Sequence, residues 1–266
     1  CRYIMFEDIY HEYLVHQNEL NRKERYEGNE GWYHASGAGF CSRKLYFESV
    51  EQAKPTNPPN EKSMRIMRVG SIIHEDIQNA LIYNNNILYN NNKDNTLLSN
   101  IAVDTRVKKF DTEGEIVLPE FNVRGFYDIV SQDSSASGTD EINRLYDIKT
   151  SSNWSFKQKF SKQNAIPSEN RNHYLQLATY GLALEKKLGS LESMSILYYN
   201  KDNSSVKEQI VPNIYLDNAK RYWYAINEEH SKGLPGFVHG VSPAYKWCCG
   251  YCQFKDHCNP PANYKR

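Results

Sequence analysis

The chain has 266 residues with 32 basic and 32 acidic side chains, so its formal net charge is zero. That length can bury a substantial core, and the balance excludes a global basic field, leaving any nucleic-acid contact to a local groove. With no apolar run of about 18 residues and no secretory leader, the expectation is a soluble cytoplasmic chain with no membrane partner; the 20 tyrosines offer packing or base-stacking surfaces.

Residues 4–20 space Ile9, Tyr13 and Leu14 as a short helix would, and 21–40 turn polar and glycine-rich, a loop. Cys41 follows in FCSRKLYFES, read as a helix opened by Ser42. Between 61 and 89, Ile66, Val69, Ile73, Ile77 and Leu81 recur near a 3.6 period and predict the longest helix. The preceding PTNPPNEKS supplies its turn and N-cap. His74 lies within that helix and shares a face with Gln78, four residues on. The asparagine-rich tract 84–95 reads as a loop. Strands are then expected at 102–110, 115–118, 122–130 and 144–150, joined by short polar turns in an antiparallel meander.

The last two of these strands bear the chemistry. Each delivers an aspartate, Asp128 and Asp147, and pairing would set the carboxylates side by side. Lys149 follows Asp147 by two and therefore projects from the same face. Carboxylate oxygens suit Mg²⁺ or Mn²⁺. Such an ion polarises a phosphodiester and acidifies water, while an ammonium beside it stabilises developing charge. The grouping points to phosphodiester hydrolysis, against the plainer reading of a surface ion pair at strand ends. An acid-x-Lys triplet recurs at Glu185-Lys186-Lys187, at a helix end where charges are ordinarily solvated.

Residues 151–172 interleave lysines with Trp154, Phe156 and Phe160, as either a single-strand track or a solvated loop over the sheet edge. A strong helix spans 173–189, with Gln176 and Tyr180 four apart on one face and Gly189 as its stop. Strands at 194–200 and 206–212 form a hairpin, a helix covers 217–232, and a Gly/Pro segment, 233–243, leads to the tail. There Cys249, Cys252 and Cys258 follow a C-x2-C-x5-C spacing, with Cys248 making the register ambiguous by one. Three thiols so close need a metal to hold them, and the well-placed fourth is Cys41. Four thiolates fit a [4Fe–4S] cluster or Zn²⁺; a single knuckle with a distant cysteine favours the cluster.

With these pieces in order the chain resembles the PD-(D/E)xK nuclease superfamily and, within it, the RecB-like branch that carries an iron–sulfur clasp, including the Cas4, AddB nuclease-domain and exonuclease V families. The likeness rests on Cys41, Gly70-x3-His74, Gly125-x2-Asp128, Asp147-x-Lys149, Gln176-x3-Tyr180 and the cysteine tail. It implies an α/β fold: a restriction-endonuclease-like core with a central mixed sheet flanked by helices, plus an iron–sulfur clasp joining the N- and C-terminal parts. The corresponding division is 1–60, 61–232 and 233–266. It further implies that His74, Asp128, Asp147 and the Ile148 carbonyl bind the divalent metal. Lys149 would assist the attacking water, Gln176 and Tyr180 would position DNA and the lysine, and Cys41, Cys249, Cys252 and Cys258 would ligate the cluster. The function expected is that of a metal-dependent deoxyribonuclease, an exonuclease on single-stranded or frayed DNA in repair or recombination. Since no Gly-x4-Gly-Lys-Ser/Thr motif is present, a helicase or a recombination or CRISPR-adaptation protein is the expected partner. The alternatives are a non-catalytic DNA-binding scaffold and a zinc-stapled endonuclease.

Overall fold

The computed structural model describes residues 6–26, 30–94, 107–134, 141–160, 171–236 and 246–258. They fall into two compact units: Cys1–His34, Phe40–Val69 and Ala225–Arg266 make the first, Ala35–Gly39 and Gly70–Tyr224 the second. The helices are α1 (Phe6–Tyr26), α2 (Ser42–Leu45, continued by a π-helical turn over Tyr46–Val50), α3 (Glu61–Asp94), α4 (Asn153–Phe160), α5 (Arg171–Leu188), α6 (Ile214–His230) and α7 (Lys255–Cys258). The strands are β1 (Tyr33–His34), β2 (Val107–Leu118), β3 (Val123–Ser134), β4 (Glu141–Ser151), β5 (Ser193–Asn200) and β6 (Val206–Val211).

In the second unit β2, β3 and β4 run as the expected antiparallel meander, β5 joins β4 in parallel, and β6 closes a hairpin with β5. A parallel neighbour demands a crossover connection, and α4 and α5 lie in it. The sheet is therefore mixed and flanked by helices. α5 is apolar almost all round and is buried from Tyr174 through Leu182, as a helix enclosed by other elements must be. It ends at Gly189, whose φ of 84° is the left-handed stop glycine adopts without strain. Leu145, Ile148, Leu175, Leu177, Met194, Ile196 and Trp223 form the centre of the core.

Several expectations are corrected. The asparagine-rich tract is helical, α3 running on to Asp94; residue 95 lies outside the described residues. Asn85 shows why: its side chain donates to the Phe110 carbonyl at 2.7 Å and accepts the Phe110 N–H at 3.0 Å, occupying both backbone groups of one β2 residue. Such a bond offsets the low helix propensity of asparagine. Part of the predicted α3 stripe faces solvent, with Ile66 and Val69 exposed, whereas Met64 and Gln78 are buried.

The strands expected at 102–110 and 115–118 are one strand over its described length, the residues before 107 lying outside it. Gly114 sits under the Tyr127 ring, where any Cβ would collide with the phenol, so the polar run is paired with β3 and is no turn. The loop expected at 151–172 contains α4; Phe156 is buried against Phe160, and Phe160 meets Tyr198 edge-on. Those two rings pack the core of this region, and Trp154 alone of the three aromatics is strongly exposed. Among the described residues no helix is long and apolar enough to cross a membrane.

Candidate active site

Ile129 on β3 stands opposite Tyr146 on β4, so the next pair along the antiparallel ladder is Asp128 and Asp147. Asp128 Oδ2 accepts the Ile148 N–H at 2.6 Å, and His74 Nδ1 on α3 lies 3.6 Å from that oxygen. Lys149 Nζ is 2.6 Å from Asp147 Oδ2. From α5, Gln176 Nε2 donates to Asp147 Oδ1 at 3.3 Å and to the Tyr180 hydroxyl at 2.8 Å. The second unit thus brings together His74, Asp128, Asp147, Ile148, Lys149, Gln176 and Tyr180. Ile148 contributes its N–H to Asp128.

Two glycines of the sequence pattern have steric reasons. A Cβ on Gly125 would stand 2.9 Å from Ala35 Cβ and 3.2 Å from Tyr180 Cε1, closer than carbon atoms pack. A Cβ on Gly70 would stand 3.1 Å from Thr150 Oγ1, next to Lys149 on β4. Each glycine lets a helix or loop approach the strands that bear the acids.

Asp147 is only 1% exposed. Burial pushes its carboxyl up to about 6; the Lys149 ammonium draws it down, and the Asp128 charge opposes ionisation. Lys149 pairs with Asp147 alone while the Asp128 charge stands near it, and that surplus of negative charge favours a cation. Oxygen donors with one imidazole fit a hard divalent ion. Among the described residues, however, no three His, Cys, Asp or Glu side chains yet stand close enough together to hold a metal.

Gln78, Glu113, His173 and Tyr198 are additional members of this neighbourhood. Gln78 Nε2 donates to Glu113 Oε1 at 2.5 Å and to the Asp128 carbonyl at 3.4 Å, tying α3 to the strand that presents the acid. Its position one turn after His74 was the visible clue. His173 and Tyr198 share a hydrogen bond of 3.0 Å across α5 and β5, and only the fold brings them together. The second acid-x-Lys triplet is structural: Lys186 pairs with Glu120 at the surface.

The cysteines lie in the first unit. Thr56 and Asn57 donate their backbone N–H groups to the Gln253 carbonyl at 2.8 and 3.1 Å, and Asn57 Nδ2 donates to the Cys252 carbonyl at 3.1 Å. Arg43 Nε donates to Cys258 Sγ at 3.3 Å, and Phe47 packs on Phe254. Burial, then the neighbouring Cys41, Cys252, Cys258 and Cys248, push the Cys249 thiol up to about 11. Burial also raises Cys252, against a pull from Lys44. Thiols that oppose one another's ionisation in this way lie near one another, although among the described residues no three of them stand close enough together to hold a metal. A cavity of about 640 Å³ in the same unit, lined by Arg22, Lys23, Glu48, Gln52, Pro58 and Phe254 among others, takes no residue from the carboxylate group.

No curated protein matches the chain. Among solved structures, SSO0001 aligns over 97% of this chain and 98% of its own, at 20% identity and a TM-score of 0.51, a likeness of fold. An alkaline exonuclease from Laribacter hongkongensis aligns over 80% of this chain and 94% of its own, at 12% identity and a TM-score of 0.44. The family model described as the PD-(D/E)XK nuclease superfamily matches residues 86–259, a span that takes in both acids, the lysine, the Gln176–Tyr180 pair and the cysteine tail. Strand-borne acids, a lysine two residues on and a match over most of the length agree, and the chain belongs to the PD-(D/E)XK nuclease superfamily.

Proposed function

We propose that this protein is a divalent-metal-dependent deoxyribonuclease of the RecB-like, iron–sulfur branch, acting as an exonuclease on single-stranded or frayed DNA. The observation that carries the reading is the buried group on β3, β4 and α5: Asp147 contacts Lys149 at 2.6 Å and Gln176 at 3.3 Å, with Asp128 held by the Ile148 N–H at 2.6 Å. His74, Asp128, Asp147 and the Ile148 carbonyl are the candidate ligands of Mg²⁺ or Mn²⁺, and the imidazole tilts the choice towards Mn²⁺. When bound, that ion supplies Lewis-acid polarisation of the phosphodiester. Lys149 holds its ammonium beside Asp147 and stabilises charge as water attacks. Gln176, fixed by Tyr180, orients the Asp147 carboxyl.

Cys41, Cys249, Cys252 and Cys258 are the proposed ligands of a structural [4Fe–4S] cluster that would pin the N-terminal segment to the tail, with residues 61–232 as the nuclease core. The proposed setting is the cytoplasm, beside a separate helicase, recombination or CRISPR-adaptation protein. The test is incubation of end-labelled single-stranded DNA with Mn²⁺. Progressive shortening is expected, abolished by chelation and reduced at least about a hundredfold by Asp147→Ala or Lys149→Ala, while visible absorbance of anaerobically purified protein persists in both variants. Undiminished cleavage by either variant overturns the site; binding without cleavage by the native chain supports a scaffold. Zinc in place of iron, with discrete fragments, supports the stapled endonuclease.

A further inference from the structure

Next to Lys149 on β4, the parallel register places Tyr198 of β5. Its phenol is fully buried, and burial holds its proton on far above the ordinary tyrosine range. Among the described residues the hydroxyl has one hydrogen-bond partner, His173 Nδ1 at 3.0 Å. A buried phenol that keeps its proton donates it where it can, so Nδ1 accepts and the imidazole carries its own hydrogen on Nε2. Burial, with the Lys149 and Lys159 ammoniums, keeps that ring neutral. Lys159 Nζ, from α4, stands 5.0 Å from the centre of the Tyr198 ring. His173 also lies three residues before Gln176 on α5, hence on the stripe that faces Asp147.

We propose that His173 and Lys159, seated on Tyr198, form a phosphate-binding subsite for the DNA strand, taking the phosphate next to the one held at Asp128, Asp147 and Lys149. The subsite deepens the DNA reading above and rests on it. A phosphate there meets an N–H fixed by Tyr198 and an ammonium from α4. A neutral donor beside an ammonium also explains why the position holds a histidine: it adds a directed bond without adding like charge next to Lys149.

The test is anisotropy of a labelled single-stranded oligonucleotide in chelator, where nothing is cut, as a function of salt. His173→Ala and Lys159→Ala are each expected to weaken binding about fivefold to tenfold. Lys159→Ala lowers the salt slope by about one, whereas His173→Ala leaves it unchanged because no charge is lost. His173→Gln, which keeps a donor, recovers most of the affinity, and Tyr198→Phe, which keeps the packing and frees the tautomer, loses about twofold to threefold. Thermal melting checks that each variant is folded, and the Gln and Phe variants carry the test should His173→Ala not fold. Affinities within twofold of the native chain for both the histidine and lysine variants overturn the subsite, even where the native chain cuts DNA with Mn²⁺. Weakened binding by the variants of a chain that does not cut upholds the subsite and overturns the nuclease.

Discussion

Asp147 is held in an uneasy state: burial and the Asp128 charge oppose its ionisation, and one ammonium supports it. Breaking a buried pair by removing one partner is strongly destabilising, so a variant that kills activity by unfolding would prove little. Asp147→Asn, close in shape, separates the two, and it is expected to lose cleavage while its melting temperature stays within a few degrees of the native value, measured by circular dichroism. Gly125 makes the complementary case, with no chemistry of its own. Gly125→Ala places a methyl 2.9 Å from Ala35 Cβ and 3.2 Å from Tyr180 Cε1, an overpacking worth about 1–3 kcal/mol. Because Tyr180 holds Gln176, which holds Asp147, cleavage should fall together with the urea midpoint. A variant that melts like the native chain removes the steric account of that glycine.

The elements that carry these residues differ in how readily the chain declares them. β3, β4 and α5 were legible because alternation and burial agree: Tyr127 and Ile129, Leu145 and the whole run from Tyr174 are buried where the pattern puts them. The helix through the asparagine tract was not, because Asn85 earns its place only by bonding Phe110 across the fold. Likewise Asp111 and Gly114 read as a turn until Tyr127 lies over the glycine and its hydroxyl bonds Asp111 at 2.5 Å. Residues recognised by type and order could be found without coordinates; His173, Tyr198 and the Gln78 link to Asp128 needed the register. Packing of α6 on α5 shows the same dependence and can be tested. Trp223, fully buried, donates Nε1–H to Thr179 Oγ1 at 2.9 Å, while Thr179 donates to the Leu175 carbonyl. Thr179→Val keeps the volume and removes the hydroxyl that accepts the indole N–H, so a loss of about 1–3 kcal/mol is expected from denaturant titration. A neutral substitution would mean that the indole finds another partner.

At the scale of the molecule, residues from the two ends of the chain, Cys41 and the tail from Cys249 to Cys258, belong to one compact unit and the acids to the other. The buried histidines and the buried acid should answer pH in opposite senses. His230 in the first is buried, bonded to the Tyr33 hydroxyl at 2.7 Å and facing Ser42 and Glu229. Burial lowers its pKa although Ser42 and Glu229 pull upward. Below the ordinary histidine value of about 6.5 the unfolded chain binds the proton more readily than the folded one, so stability falls with pH, by at most about 1.4 kcal/mol per unit. His173 acts in the same direction within the second unit. Asp147 opposes it: with its folded pKa raised to about 6, the folded state holds a proton that the unfolded chain releases down to about 4, and that contribution grows as pH drops through this window. Urea titrations between about pH 7 and pH 5 should therefore show a loss of stability that His230→Asn reduces and Asp147→Asn steepens. An acid response unchanged in His230→Asn would mean that this imidazole is already protonated in the fold, charge-paired with Glu229.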